Sequence, residues 1–120
     1  MEGDEHLMDL NNKKVNILGT EYSIEERGYK DDVILNNADG YSDWTVNLLV
    51  IEKCEQDDMS LKDLERYKKK VLRHEIIHAF LDQSGLACNS DWARNEEMVD
   101  FFAIQMPKIV KAYKDLDILD

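Results

Sequence analysis

The run His74-Glu75-Ile76-Ile77-His78 holds the residues of this chain best suited to chemistry. On a helix, two His four apart stand one turn apart on one face, about 6 Å along the axis, so both imidazoles can reach one ion. Zinc suits them, being tetrahedral with His nitrogen ligands at about 2.0–2.1 Å. Glu75 lies next to the first His and one turn before the second. From there its carboxylate can reach a metal-bound water without ligating the metal, the arrangement of the His-Glu-x-x-His motif. The plainer reading makes both His satisfied core residues. Two His and a Glu in the most apolar stretch of the chain are costly to bury without a partner, however, and a metal supplies one.

A catalytic zinc site needs a third protein ligand and an open fourth position. Downstream candidates are Cys88, Asp91, Glu96, Glu97 and Asp100. Glu96 and Asp100 are four apart and share one face of a second helix, away from an apolar stripe through Met98, Phe102 and Met106. A metal-ligating His usually donates its other N–H to a carboxylate. Glu96 is therefore the favoured ligand, with Asp100 as the buttress of His74. Glu97 is turned by about 100° from Glu96 and ranks second, its plainer role being a solvated helix glutamate. Cys88 is a weaker rival, read more simply as a small loop or core residue.

These residues need two helices to carry them. The first is expected from a capping box at Ser60 and Asp63 to about Ser84, with Gly85 in the left-handed position that ends it. Its half over 71–81 is apolar almost all round and reads as buried. A loop over 86–91 follows, then a second helix over 92–114. There Met98, Phe102, Met106, Ile109 and Tyr113 form a core-facing stripe, and Pro107 kinks or interrupts the helix. Upstream, 14–18 and 21–26 read as a hairpin turning at Gly19-Thr20. Residues 36–43 are rich in turn formers, and 44–52 reads as a strand.

Composition bounds the rest. The chain has 120 residues, 43% apolar and 34% charged, with 15 Lys plus Arg against 26 Asp plus Glu and a net charge of −11. One domain over 1–120 is expected, with 1–12 and 115–120 as flexible tails. An acidic chain lacks the basic face that nucleic acid or anionic membrane requires. Neither a membrane span nor a signal peptide is evident, so the expected compartment is the cytoplasm, with Cys54 and Cys88 reduced.

His74-Glu75-x-x-His78 followed by Glu96 and Asp100 resembles the gluzincin metallopeptidases. The run Asn95-Glu96-x-x-Val99-Asp100 is similar to the Asn-Glu-x-x-Ser-Asp of thermolysin-like enzymes. The short ligand spacing resembles minimal gluzincins, and Asp100-Phe-Phe-Ala103 with Met106-Pro107 resembles the ImmA/IrrE-type peptidases of phages and integrating elements. The resemblance implies an α+β, zincin-like domain: a small, mainly antiparallel sheet packed on an active-site helix, plus a second helix carrying the glutamate ligand. It implies a zinc peptidase acting on protein or peptide, of phage or prophage origin, with Glu75 as general base. It also implies substrate binding along the strand over 44–52, and an oxyanion donor besides zinc. Tyr41, Tyr67 and Arg94 are candidates for that donor, each with a packing or surface role as the plainer reading; His6, the only other His, lies in the acidic N-terminus. A minimal gluzincin can also be latent, and an Asp from 115–120 is a candidate to cover the metal. The rival reading keeps zinc in a regulatory or binding protein that does not catalyse. Two others are a hydrolase of a non-protein amide and a helical interaction protein with an accidental motif.

Overall fold

A computed structural model describes residues 9–53 and 63–120. Two strands open the chain, β1 (Lys14–Ile17) and β2 (Thr20–Arg27), paired antiparallel with Ile17 opposite Thr20. The turn is therefore Leu18-Gly19, both at positive φ (51° and 93°), one residue earlier than the sequence suggests. A two-residue turn with both residues left-handed matches the twist of the strands it joins. Asn16 Oδ1 accepts from the Gly19 N–H at 2.9 Å.

A short 3₁₀ turn, Val33–Asn36, precedes β3 (Gly40–Asp43) and β4 (Leu48–Glu52). The sheet order is β1-β2-β4-β3, with β2 and β4 parallel and the other two pairings antiparallel. This is a small mixed sheet. Two expectations change here. Gly40–Asp43, composed of turn-forming types, is a strand because β4 supplies its hydrogen-bonding partner. The strand expected over 44–52 starts only at Leu48; 44–47 is a turn, with Asn47 at φ 54° and Asp43 Oδ1 accepting from the Thr45 N–H at 3.0 Å. Because β4 pairs on both edges, it cannot accept an added strand. The edge beside the helix is β3.

Helix α1 (Leu64–Gln83) packs on the sheet. Its cap is Asp63, whose side chain accepts from the Arg66 N–H; Ser60 lies outside the described residues. Leu64, Lys68, Val71, Glu75 and Ala79 form the buried stripe, at the three- and four-residue spacing of one helix face. Ile76 and Ile77 are only half-buried and Phe80 is exposed, so the half expected to be buried all round has one sheet-facing side. The core joins Leu10, Ile17, Tyr22, Ile24, Leu49, Ile51, Val71 and Ala79. Leu10 places residues 9–12 in the fold rather than in a frayed tail, with its N–H donated to Glu26 at 2.6 Å. Glu26 also pairs with buried Lys68 at 2.8 Å.

Gly85, at φ 86°, ends α1 as expected. A four-residue helix, α2 (Leu86–Asn89), occupies part of the expected loop, and a 3₁₀ turn, Trp92–Arg94, leads to α3 (Glu96–Asp115). Pro107 lies inside α3 without interrupting it. The stripe expected to face the core does so only in part: Met98 packs against a second buried cluster of Leu81, Ala93 and Val99, and Phe102 and Ile109 are half-buried. Val99 and Ala103 are the buried residues of α3, whereas Met106 and Tyr113 are exposed at 36% and 45%. Residues 115–120 begin as the last residue of α3 and continue into its cap, where the Ile118 N–H donates to the Tyr113 carbonyl and Asp117 takes φ 57°. No described helix is long and apolar enough to cross a membrane.

Candidate metal centre

Helix α1 supplies His74, Glu75 and His78, and the first two turns of α3 supply Glu96 and Asp100. Asn95 sets where α3 begins, its side chain accepting from the Met98 N–H at 2.8 Å. Glu96 is thereby the first helical residue, where the helix dipole favours a carboxylate. Arg73 fastens the two helices, donating from Nε to the Ala103 carbonyl at 2.6 Å.

Glu96 Oε1 lies 3.0 Å from His74 Nε2 and 3.0 Å from His78 Nε2. The three atoms fall within 4.8 Å of one another, so this group could hold a metal ion. Two ligands about 2.0–2.1 Å from a tetrahedral centre stand about 3.3 Å apart, close to the separations seen. On the far side of the ring, His74 Nδ1 lies 3.2 Å from Asp100 Oδ1. A carboxylate only accepts, so Asp100 can hold a proton on Nδ1, which would leave Nε2 as the nitrogen for a bound cation. Two imidazole nitrogens and a carboxylate oxygen converging as electron donors are the chemistry of a cation site.

Electrostatics agree with that geometry. Burial pushes the Glu96 carboxyl up, but His78 and His74 outweigh it and leave the group below its ordinary value. The Lys70 ammonium, 2.7 Å away, holds Asp100 below the usual carboxylate range, with His74 adding to the effect. Glu75 is 6% exposed, and burial, then the Glu96 charge, push its pKa to about 8. A divalent cation alongside would pull it back down.

The cluster lies in a cleft of about 580 Å³ between α1 and β3. Gly40 is what lets the strand come so close. A Cβ there would stand 2.9 Å from the Val50 carbonyl oxygen, 3.0 Å from Val71 Cγ1 and 3.3 Å from Glu75 Cγ. No described strand pairs with the outer edge of β3.

The structure brings together His74, Glu75, His78, Glu96 and Asp100, and leaves the other candidates apart. Glu97 is exposed and outside the ligand group. Cys88 is a free, exposed thiol on α2. Asp91 pairs with Arg94 at 2.7 Å on the surface. Tyr41 lines the cleft, yet its hydroxyl donates to Asp32 and accepts from Arg27 at 3.1 Å; burial, then Asp32, push its pKa to about 12. Tyr67 also lines the cleft, with its hydroxyl donated to Asp39. His6 and Cys54 lie outside the described residues. The C-terminal segment cannot cover the cluster: α3 carries its start at Asp115 about 30 Å from Glu96. Sequence reasoning missed Lys70, Gly40 and Asp82. Lys70 and Asp82 stand four residues before His74 and four after His78, so helical spacing along the motif's own face was the available signal. No protein-family model, curated protein or solved structure matches this chain.

Proposed function

We propose that this chain is a zinc-dependent peptidase of gluzincin type, with a zincin-like domain. His74, His78 and Glu96 are its zinc ligands, Asp100 fixes the His74 tautomer and Glu75 is its general base. The observation that carries the reading is the convergence of three ligand atoms within 4.8 Å beside a buried carboxylate, in a cleft walled by a sheet edge. Zinc held by His74, His78 and Glu96 would supply an acidified water, with a pKa of about 7, and would polarise a carbonyl. The Glu75 carboxylate would take a proton from that water and pass it to the leaving amine. The outer edge of β3 offers main-chain N–H and C=O groups to an extended peptide, replacing 44–52 as the substrate-binding segment.

Glu75→Gln keeps the shape of the site and removes the base. The expected result is zinc content equal to the parent and hydrolysis of a quenched peptide library reduced by about 10²–10⁴. Unchanged turnover would overturn the role of Glu75, and absence of hydrolysis in the zinc-loaded parent would favour a binding protein that keeps zinc.

A further inference from the structure

Asp82 stands one turn beyond His78, about 6 Å along α1, and lines the same cleft. Its position is unfavourable on three counts. It is half-buried, and burial pushes its carboxyl above the ordinary range, with His78 opposing only in part. It falls in the last turn of α1, which ends at Gln83, where the partial negative charge of the helix disfavours an acid. Among the described residues its carboxylate has no hydrogen bond or ion pair. Of the other carboxylates lining the cleft, Asp39 accepts from Tyr67, Asp100 is held by Lys70 and Glu96 faces both His; only Glu75, the proposed base, likewise lacks a partner among the described residues. Lys70 is the one Lys or Arg among the described residues lining the cleft, and it is already paired.

A second polar group at the same end is also without a partner. Ser42 Oγ is buried in the β3 wall and makes no hydrogen bond. β3 runs in the same direction as α1, since Asp39 meets Tyr67 while Gly40 approaches Val71 and Glu75. Ser42, two residues beyond Gly40 on the same strand face, therefore lies toward the Asp82 end. An uncompensated acid and an unsatisfied hydroxyl at one end of a cleft violate the local rules of folding, which is the mark of a functional position.

We propose that Asp82 determines specificity by seating the cationic side chain of a Lys or Arg in a peptide that lies along β3. This rests on the peptidase reading of the metal site. The ammonium or guanidinium would give Asp82 the partner the fold withholds, as a charge-assisted hydrogen bond in a half-buried setting. Because the acid is unfavourable in the free protein, its removal should stabilise the fold while weakening recognition, the usual trade at a functional position.

The test uses the full zinc-loaded chain and peptides blocked at both ends, with Lys, Ala or Glu placed in turn at each position flanking the cleaved bond. At one position Lys is expected to raise kcat/KM about tenfold over Ala, with Glu below Ala. Asp82→Asn should abolish that preference, keep the Ala peptide within about threefold and raise Tm by about 2–4 °C. Binding gives a readout that needs no turnover. Zinc-loaded Glu75→Gln protein should bind a fluorescent Lys peptide about tenfold tighter than its Ala counterpart, less so at high salt, and the difference should vanish when Asp82→Asn is added. Cleavage without a Lys preference, or a preference that survives Asp82→Asn, would overturn the assignment and leave the peptidase reading standing. A preference confined to peptides with a free N-terminus would also overturn it, by giving the cation's role to the α-amino group. Absence of cleavage with an Asp82-dependent Lys preference in binding would keep the cation seat and remove the hydrolysis; equal binding of Lys and Ala peptides would remove the seat.

Discussion

His74 depends on Asp100, and Asp100 depends on Lys70. Asp100 Oδ1 faces His74 Nδ1 at 3.2 Å and the Lys70 ammonium at 2.7 Å. An acceptor behind a metal ligand fixes its ring and raises its basicity. Asp100→Asn is expected to lower zinc affinity about 10–100-fold while leaving the fold intact, measured by competition with a chromogenic chelator; unchanged affinity would show that His74 needs no buttress. Glu75 yields a pH prediction for the metal-free protein. Its pKa is raised from 4.5 to about 8 in the folded chain, so the neutral form is the one the fold favours. The associated stability is full below about pH 4.5 and is lost as pH rises toward about 8, an effect of a few kcal/mol. Glu75→Gln should flatten that slope in urea titrations under chelator, and a parallel slope in both proteins would refute the burial argument. His74, Glu75 and His78 were legible in the sequence because helical spacing is local and needs no knowledge of the rest of the fold. Asp82 shares that spacing, four residues after His78, but how far the cleft extends along α1 is set by β3 and is not local.

At the scale of elements, β3 and α3 show where local pattern runs out. Gly40-Tyr41-Ser42-Asp43 has the composition of a turn, and it becomes a strand through pairing with β4, a long-range event. That strand is the wall of the cleft, and Gly40 sets its distance from α1. Gly40→Ala would place a methyl 2.9 Å from a backbone oxygen that cannot rotate away, so a loss of about 1–3 kcal/mol is expected, with displacement of β3 from Glu75. Wild-type stability in that variant would mean the strand is free to shift. On α3 the spacing of Met98, Phe102, Met106, Ile109 and Tyr113 correctly indicates a helix but not how far the core reaches along it. Val99→Ala should cost about 2 kcal/mol and Tyr113→Ala under about 0.5 kcal/mol, by chemical denaturation, because Val99 is 0% exposed and Tyr113 45%. The reverse order would restore the stripe to the core.

Across the whole molecule, a mixed sheet holds α1 along one side, and a single cap at Asn95 turns the start of α3 back toward it. The candidate metal ligands thus come from two helices separated in sequence but fastened by Arg73 and by the packing of Val99 and Ala103. Ile104, Met106 and Tyr113 of α3 are exposed, and the length of the helix carries Asp115 about 30 Å from Glu96. If His74, His78 and Glu96 bind one zinc, elemental analysis of the purified chain will find it, with neither added metal nor nickel from an affinity column. About one zinc per chain is expected, falling to a trace in His78→Ala and in Glu96→Ala. Absence of metal in the parent, persisting after equilibration with zinc, would contradict the claim and return both His to the interior as ordinary residues.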